Sequence, residues 1–154
     1  MPPRSYMNTT NASWFDLLSV QSTNWVAQTF TAISNHKVTS VKVLIKRYAS
    51  GGDNPGTIYA VIKAVNSSGS PTGPALASGT TNGNTLTKGD PGEWRTITMS
   101  SYTIKKNTMY ALILYNTSGY DPFGWFVADG SPYSGGNALE SVDGLPRVQV
   151  VHSI

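Results

Sequence analysis

From Gly92 to Tyr115 the chain alternates residue by residue. Trp94, Thr96 and Thr98 fall on one side of an extended backbone and Arg95, Ile97 and Met99 on the other. Beyond a turn at Lys105-Lys106-Asn107, Tyr110, Leu112 and Leu114 alternate with Met109, Ala111 and Ile113. Successive side chains of a strand point to opposite faces, so this period of two predicts two strands joined by a turn. The same period places Val41, Val43 and Ile45 opposite Lys42, Leu44 and Lys46. In 57–65, Ile58, Ala60, Ile62 and Ala64 share one phase and Tyr59, Val61 and Val65 the other. A strand apolar on both phases is expected to be central, with both faces partly covered.

Extended segments are also expected at 25–32, 38–48, a brief edge at 75–80, 125–128, 138–141 and 147–152, with Ser50 to Gly56, Asn66 to Pro74 and Asn82 to Gly92 as turns and loops. About nine strands and no convincing helix predict an all-β fold, a single-domain two-sheet β-sandwich of the jelly-roll type. The domain is expected over residues 24–154, preceded by an N-terminal extended arm, 1–23, rich in Ser, Thr and Asn. Its one apolar knot, Trp14 to Leu18, reads as a strand or a single helical turn. Trp25 and Trp94 are expected in the core.

Composition narrows the class. Charged residues make up 12% of the 154, about half the usual share of ~25%, and Ser, Thr, Asn and Gly supply the polar surface instead. There is no cysteine, which excludes disulfides, thiolate metal sites and a cysteine nucleophile. The net charge of +3 is dispersed, unlike the clustered basic footprint of a nucleic-acid binder. No run approaches a membrane span, and the first sixteen residues lack the apolar core of a secretory leader. An extracellular type of composition without a leader is expected of a protein assembled inside a cell and released on lysis.

The segments Ala27-Gln28-Thr29-Phe30, Asn54-Pro55-Gly56-Thr57, Gly69-Ser70-Pro71-Thr72-Gly73, Leu76-Ala77-Ser78-Gly79, Glu93-Trp94, Tyr110-Ala111-Leu112 and Tyr133-Ser134-Gly135-Gly136-Asn137-Ala138 together resemble a broad group of jelly-roll β-sandwich domains of phage virion proteins and bacterial surface or secreted proteins. The resemblance spans roughly Trp25 to Gly144. It implies a fold but supplies no catalytic residues, and Leu145-Pro146-Arg147 stands where the pattern usually carries an aromatic.

No catalytic constellation accompanies the strands. The eight carboxylates sit mostly beside Gly, Pro or Asn, where they favour turn hydrogen bonds over a glycosidase pair. His36 and His152 lack a metal-ligand spacing, and a solvated role is expected of both. Asp121, Asp129 and Asp143, with Asn137, crowd one region and form a weak candidate for a structural calcium ion, the only cofactor that the residues suggest. The aromatic group Tyr120, Phe123, Trp125, Phe126 and Tyr133, with Asn137, is the one constellation able to contact a ligand or partner, unless Trp125 and Phe126 plug the core. Four N-x-S/T sequons occur at Asn8, Asn11, Asn66 and Asn116. Lys42, Lys46 and Lys63 read as a basic line on neighbouring strands.

The expected function is therefore that of a non-enzymatic virion structural protein, a phage capsid decoration or accessory subunit whose partners are other virion proteins and copies of itself. Its arm, through Trp14, Phe15 and Leu17, would reach a neighbour. Neither nucleic acid nor membrane is expected as a partner. The alternative is an extracellular carbohydrate-binding module or receptor-binding head, with the aromatic loops as a platform for glycans.

Overall fold

A computed structural model describes residues 15–20, 26–32, 34–49, 52–89, 92–128, 138–142 and 145–151, with 15–18, 126–128, 138–142 and 145–151 described by backbone alone. Ten strands run in chain order: β1 (Phe15–Val20), β2 (Val26–Thr31), β3 (His36–Arg47), β4 (Thr57–Val65), β5 (Pro71–Asn82), β6 (Glu93–Ile104), β7 (Met109–Asn116), β8 (Phe123–Ala128), β9 (Ala138–Val142) and β10 (Leu145–Val151). A 3-10 turn, Gly83–Thr85, follows β5.

Two antiparallel sheets pack face to face. One has four strands in the order β1-β8-β3-β6, the other six in the order β10-β9-β2-β7-β4-β5. The expected two-sheet β-sandwich is the observed fold. The period-two phases assign its interior: Val43, Ile45, Ile97, Met99, Phe123 and Trp125 from one sheet meet Val26, Phe30, Ile58, Ile62, Leu112 and Leu114 from the other in a single buried cluster. Burying each large aliphatic side chain stabilises the fold by about 1.5–3 kcal/mol.

Several expectations need correction. The segment placed in the arm is in part a strand: β1 pairs along its whole length with β8, from Phe15 opposite Ala128 to Val20 opposite Phe123. Phe15 and Leu17 thus belong to a sheet of this chain, the boundary at residue 23 falls inside the sandwich, and Trp14 lies outside the described residues. The edge strand expected over 75–80 runs twelve residues, because its hairpin with β4 resumes beyond an irregularity at Ile62/Ala64. Pro71 opens it, a position that needs no ladder donor. Trp94 is not core but 38% exposed. It stands one step out of phase with buried Ile97 and Met99, on the outward face with Thr96 and Thr98. Lys63 is on β4, in the other sheet from Lys42 and Lys46 on β3, so the three form no line.

Where β5 and β6 edge their separate sheets, they close one side of the sandwich. The Ser78 N–H donates to Ser100 Oγ at 3.0 Å, and Arg95 Nη1 donates to Thr81 Oγ1 at 2.8 Å. Between these staples Gly79 lies directly against the Thr98 carbonyl, leaving no room for a Cβ.

Candidate functional site

The loops before β4, after β5 and before β8 are tied together by side chains that the sequence offers for chemistry. Asp121 Oδ2 accepts the Asn54 N–H at 3.1 Å, and the Asp121 N–H donates to the Asn54 carbonyl, also at 3.1 Å. The Asn116 amide, 1% exposed, donates through Nδ2 to the carbonyls of Pro55 at 3.1 Å and Asp121 at 2.8 Å. Tyr120 lies against Gly56: a Cβ there would be 2.7 Å from Tyr120 Cδ1. Gly56 holds φ +66, the left-handed region that favours glycine. Its N–H is taken by Asn84 Oδ1 at 3.0 Å, and its carbonyl accepts from Gly83 at 2.8 Å.

Charged groups brace the same loops. Lys88 Nζ meets Asp53 Oδ2 at 2.7 Å, and Arg47 donates to the carbonyls of Leu86 at 2.7 Å and Asp53 at 3.2 Å. The Lys88 hydrogen bond, with the charge behind it, holds the Asp53 carboxyl below the ordinary carboxylate range. Glu93 accepts from the Thr87 N–H at 2.7 Å and pairs with Arg95 at 3.4 Å. Burial pushes its carboxyl upward, but the Thr87 bond and the Arg95 guanidinium outweigh this and leave it below its ordinary range.

The expected aromatic platform is taken apart by this arrangement. Phe123 and Trp125 are 0% exposed and plug the core. Tyr120, 44% exposed, packs on the Gly56 turn. Tyr133 and Asn137 lie outside the described residues, as do Asp129 and Asp143 of the calcium candidate. Asp121, the one member described, is engaged in loop pairing, and among the described residues no three His, Asp or Glu gather as metal ligands. His36 is half-buried, its Nδ1 3.0 Å from the Ser34 carbonyl, in place of the solvated ring expected. Of the two sequons described, Asn116 has its amide nitrogen engaged in the interior, while the Asn66 Oδ1 accepts the N–H groups of Ser68 and Ser70, both at 3.0 Å, in an exposed hairpin.

Two sheet faces remain. On the outer face of the six-stranded sheet, Ala27, Val61, Ala111 and Ile113 form a second buried apolar cluster, with Val65 and Tyr115 partly buried beside it. Tyr59 and Tyr115 stack at 5.1 Å on facing strands, and Met109, in phase with Ala111 and Ile113, is 38% exposed. The alternation of β7 and β4 announces this face, since both phases are apolar. On the outer face of the four-stranded sheet, Trp94 pairs directly with Leu44 and Thr96 with Lys42. This site was missed because an isolated tryptophan in a strand reads as core; its phase, shared with Thr96 and Thr98, is the signal that finds it.

No protein-family model matches the chain, and no curated protein matches it.

Proposed function

We propose that the protein is a non-enzymatic virion structural subunit, a phage capsid decoration or accessory protein, and that the outer face of its six-stranded sheet is the contact surface. An antiparallel sheet usually turns a polar face to water. Here that face has an apolar centre that is already buried within the chain, and what it opens to a partner is the apolar rim of Met109, Val65, Tyr59 and Tyr115. This is the observation that carries the reading. Such a face suits a flat partner, another virion protein or a second copy of the chain, and a standard interface needs only about 800 Å² from each side.

The finer fold belongs to the same proposal. Strands β1 to β8 wrap in the orders 1-8-3-6 and 2-7-4-5, which we read as a jelly roll, two Greek keys closed over one core. The described carboxylates favour a non-catalytic reading, because Asp53, Asp121 and Glu93 each hold a loop. Phe15 and Leu17 are not retained as anchors, since β1 is used within the sandwich.

Reconstitution tests the proposal. Added to particles that lack it, the wild-type chain is expected to bind, and Met109→Glu, which places a charge on the rim, is expected to lose binding by roughly tenfold or more while remaining folded. Incorporation of Met109→Glu and of Tyr115→Glu at the wild-type level would remove this face from the mechanism.

A further inference from the structure

The outward face of β3 and β6 is unlike the apolar face across the sandwich. Trp94, 38% exposed, stands directly opposite Leu44, which is 6% exposed. The next pairs on the same face of the ladder are Lys42 with Thr96 and Ser40 with Thr98. Ser40, Lys42, Thr96, Thr98 and Ser100 are all exposed. Toward β8 the pair is Lys46 with Gly124, a position with no side chain to raise the surface. The Lys46 ammonium lies 5.4 Å from the centre of the Tyr48 ring. At the Trp94 end of this face the exposed side chains are one indole, a row of hydroxyls and Lys42, with no carboxylate among the described residues there: Glu93 lies in the inward phase of β6 and is held by Thr87 and Arg95. Leu44 and Lys46 share the face but are only 6% and 8% exposed, and Leu17 and Phe126 fall on it by register toward β1.

We propose that this face binds an acidic polysaccharide, with Trp94 stacking on a sugar ring and Lys42 pairing with a carboxylate of the same chain. Each feature selects for that ligand. A flat aromatic face covers the C–H surface of a pyranose while the hydroxyls of Thr96 and Thr98 exchange hydrogen bonds with its rim. Directly opposed residues of an antiparallel pair stand about 4.5–5.5 Å apart and those two residues along about 7–8 Å, so Lys42 and Thr96, two register steps from Leu44 and Trp94, sit within the span of a disaccharide. The positive charge of Lys42, with no acidic neighbour among the described residues of its face, favours an anionic sugar over a neutral one.

A protein partner fits less well at the Trp94 end, because Leu44 beside the indole is already buried within the chain and leaves no cluster of open apolar anchors of the kind on which protein interfaces depend. Nucleic acid fits less well too: a duplex or strand groove needs several phosphate contacts, and the lysines here are few. The site also lies on the opposite side of the sandwich from the Met109 rim, so the two faces can be occupied together and tested separately.

The experiment is affinity electrophoresis and calorimetric titration of the full chain with alginate and polygalacturonate oligomers, with dextran as the neutral control and single-stranded DNA as the polyanion control. The uronates are expected to bind with dextran and DNA far weaker. Trp94→Ala should lose roughly tenfold or more in affinity, and Trp94→Tyr should keep part of it. Lys42→Ala should lose roughly two- to fivefold, an effect that shrinks as salt is raised. Near-ultraviolet circular dichroism checks that the variants are folded, as their surface positions lead one to expect. Absence of uronate binding, binding unchanged in Trp94→Ala, or DNA bound as tightly as the uronates would each overturn the proposal. Trp94→Ala should still attach to particles like the wild type, which separates failure of this site from failure of the contact face.

Discussion

Asn54 and Asp121 are bound to each other twice, the Asn54 N–H to the Asp121 carboxylate and the Asp121 N–H to the Asn54 carbonyl, each at 3.1 Å. A loop before β4 and a loop before β8, distant in sequence, are thereby fixed as one rigid end. Removing the carboxylate in Asp121→Ala leaves the backbone half of the pair. The expected cost is about 1–2 kcal/mol in denaturant unfolding, since a hydrogen bond to a charged acceptor is worth somewhat more than a neutral one. The cost should be the same with calcium and with chelator; a calcium-dependent wild-type midpoint that vanishes in the variant would return Asp121 to the role of metal ligand.

Gly56 and Tyr120 make a second tie of the same end, through shape. Gly56→Ala carries a backbone penalty of about 1–2 kcal/mol for its positive φ and a clash with the Tyr120 ring, 2.7 Å from the new methyl group. In a Tyr120→Ala background the clash disappears and the backbone penalty stays. A double-mutant cycle should therefore find Gly56→Ala less damaging in that background, with a coupling of about 0.5–3 kcal/mol. Additive losses would mean that the ring does not rest on the turn.

Trp125 distinguishes a core plug from a ligand platform. It is fully buried, and its indole N–H has no partner among the described residues. Trp125→Ala is expected to cost about 3–5 kcal/mol, as do other large-to-small changes of buried aromatics. Any binding should fail with folding, in step, along a urea titration. A folded Trp125→Ala protein of near wild-type stability would place the ring at the surface.

Acid should loosen the loop end in a defined direction. Because Glu93 is held below its ordinary range by Thr87 and Arg95, the unfolded chain takes up its proton first as pH falls. The stability that Glu93 confers is thus present above the ordinary carboxylate range and is lost as pH drops toward its folded value. Asp53 acts in the same sense but is exposed, where screening weakens it. Glu93→Gln should be less stable than wild type at neutral pH, and the two unfolding midpoints should converge as pH falls through and below the ordinary carboxylate range. A gap that widens in acid would contradict the assigned shift.

The strand ladder was legible because burial imposes a period of two: Val43, Ile45, Ile97 and Met99 occupy the phase that their neighbours predict. β1 was harder to read. Phe15 to Val20 is short, follows a polar stretch and earns its place only by pairing with β8, a partner more than a hundred residues on that no local pattern reveals. The site residues failed for a related reason. Trp125 and Phe123 lie in a Gly- and Pro-rich stretch that looks like a loop tip, yet register with Val20 and Ile45 carries them inward. Trp94 looks like core by residue type and is turned outward by its phase. Aromatic identity was a poorer guide than alternation.

The proposed role is that of a sandwich acting through the surfaces it presents. Quantitative mass spectrometry of virions purified from cells expressing the genome that encodes this chain tests that most directly. The chain should be present in fixed proportion to the major capsid protein, and the Met109→Glu form should be reduced severalfold at equal expression. Complete particles devoid of the chain, together with turnover of a substrate by the purified protein, would contradict it.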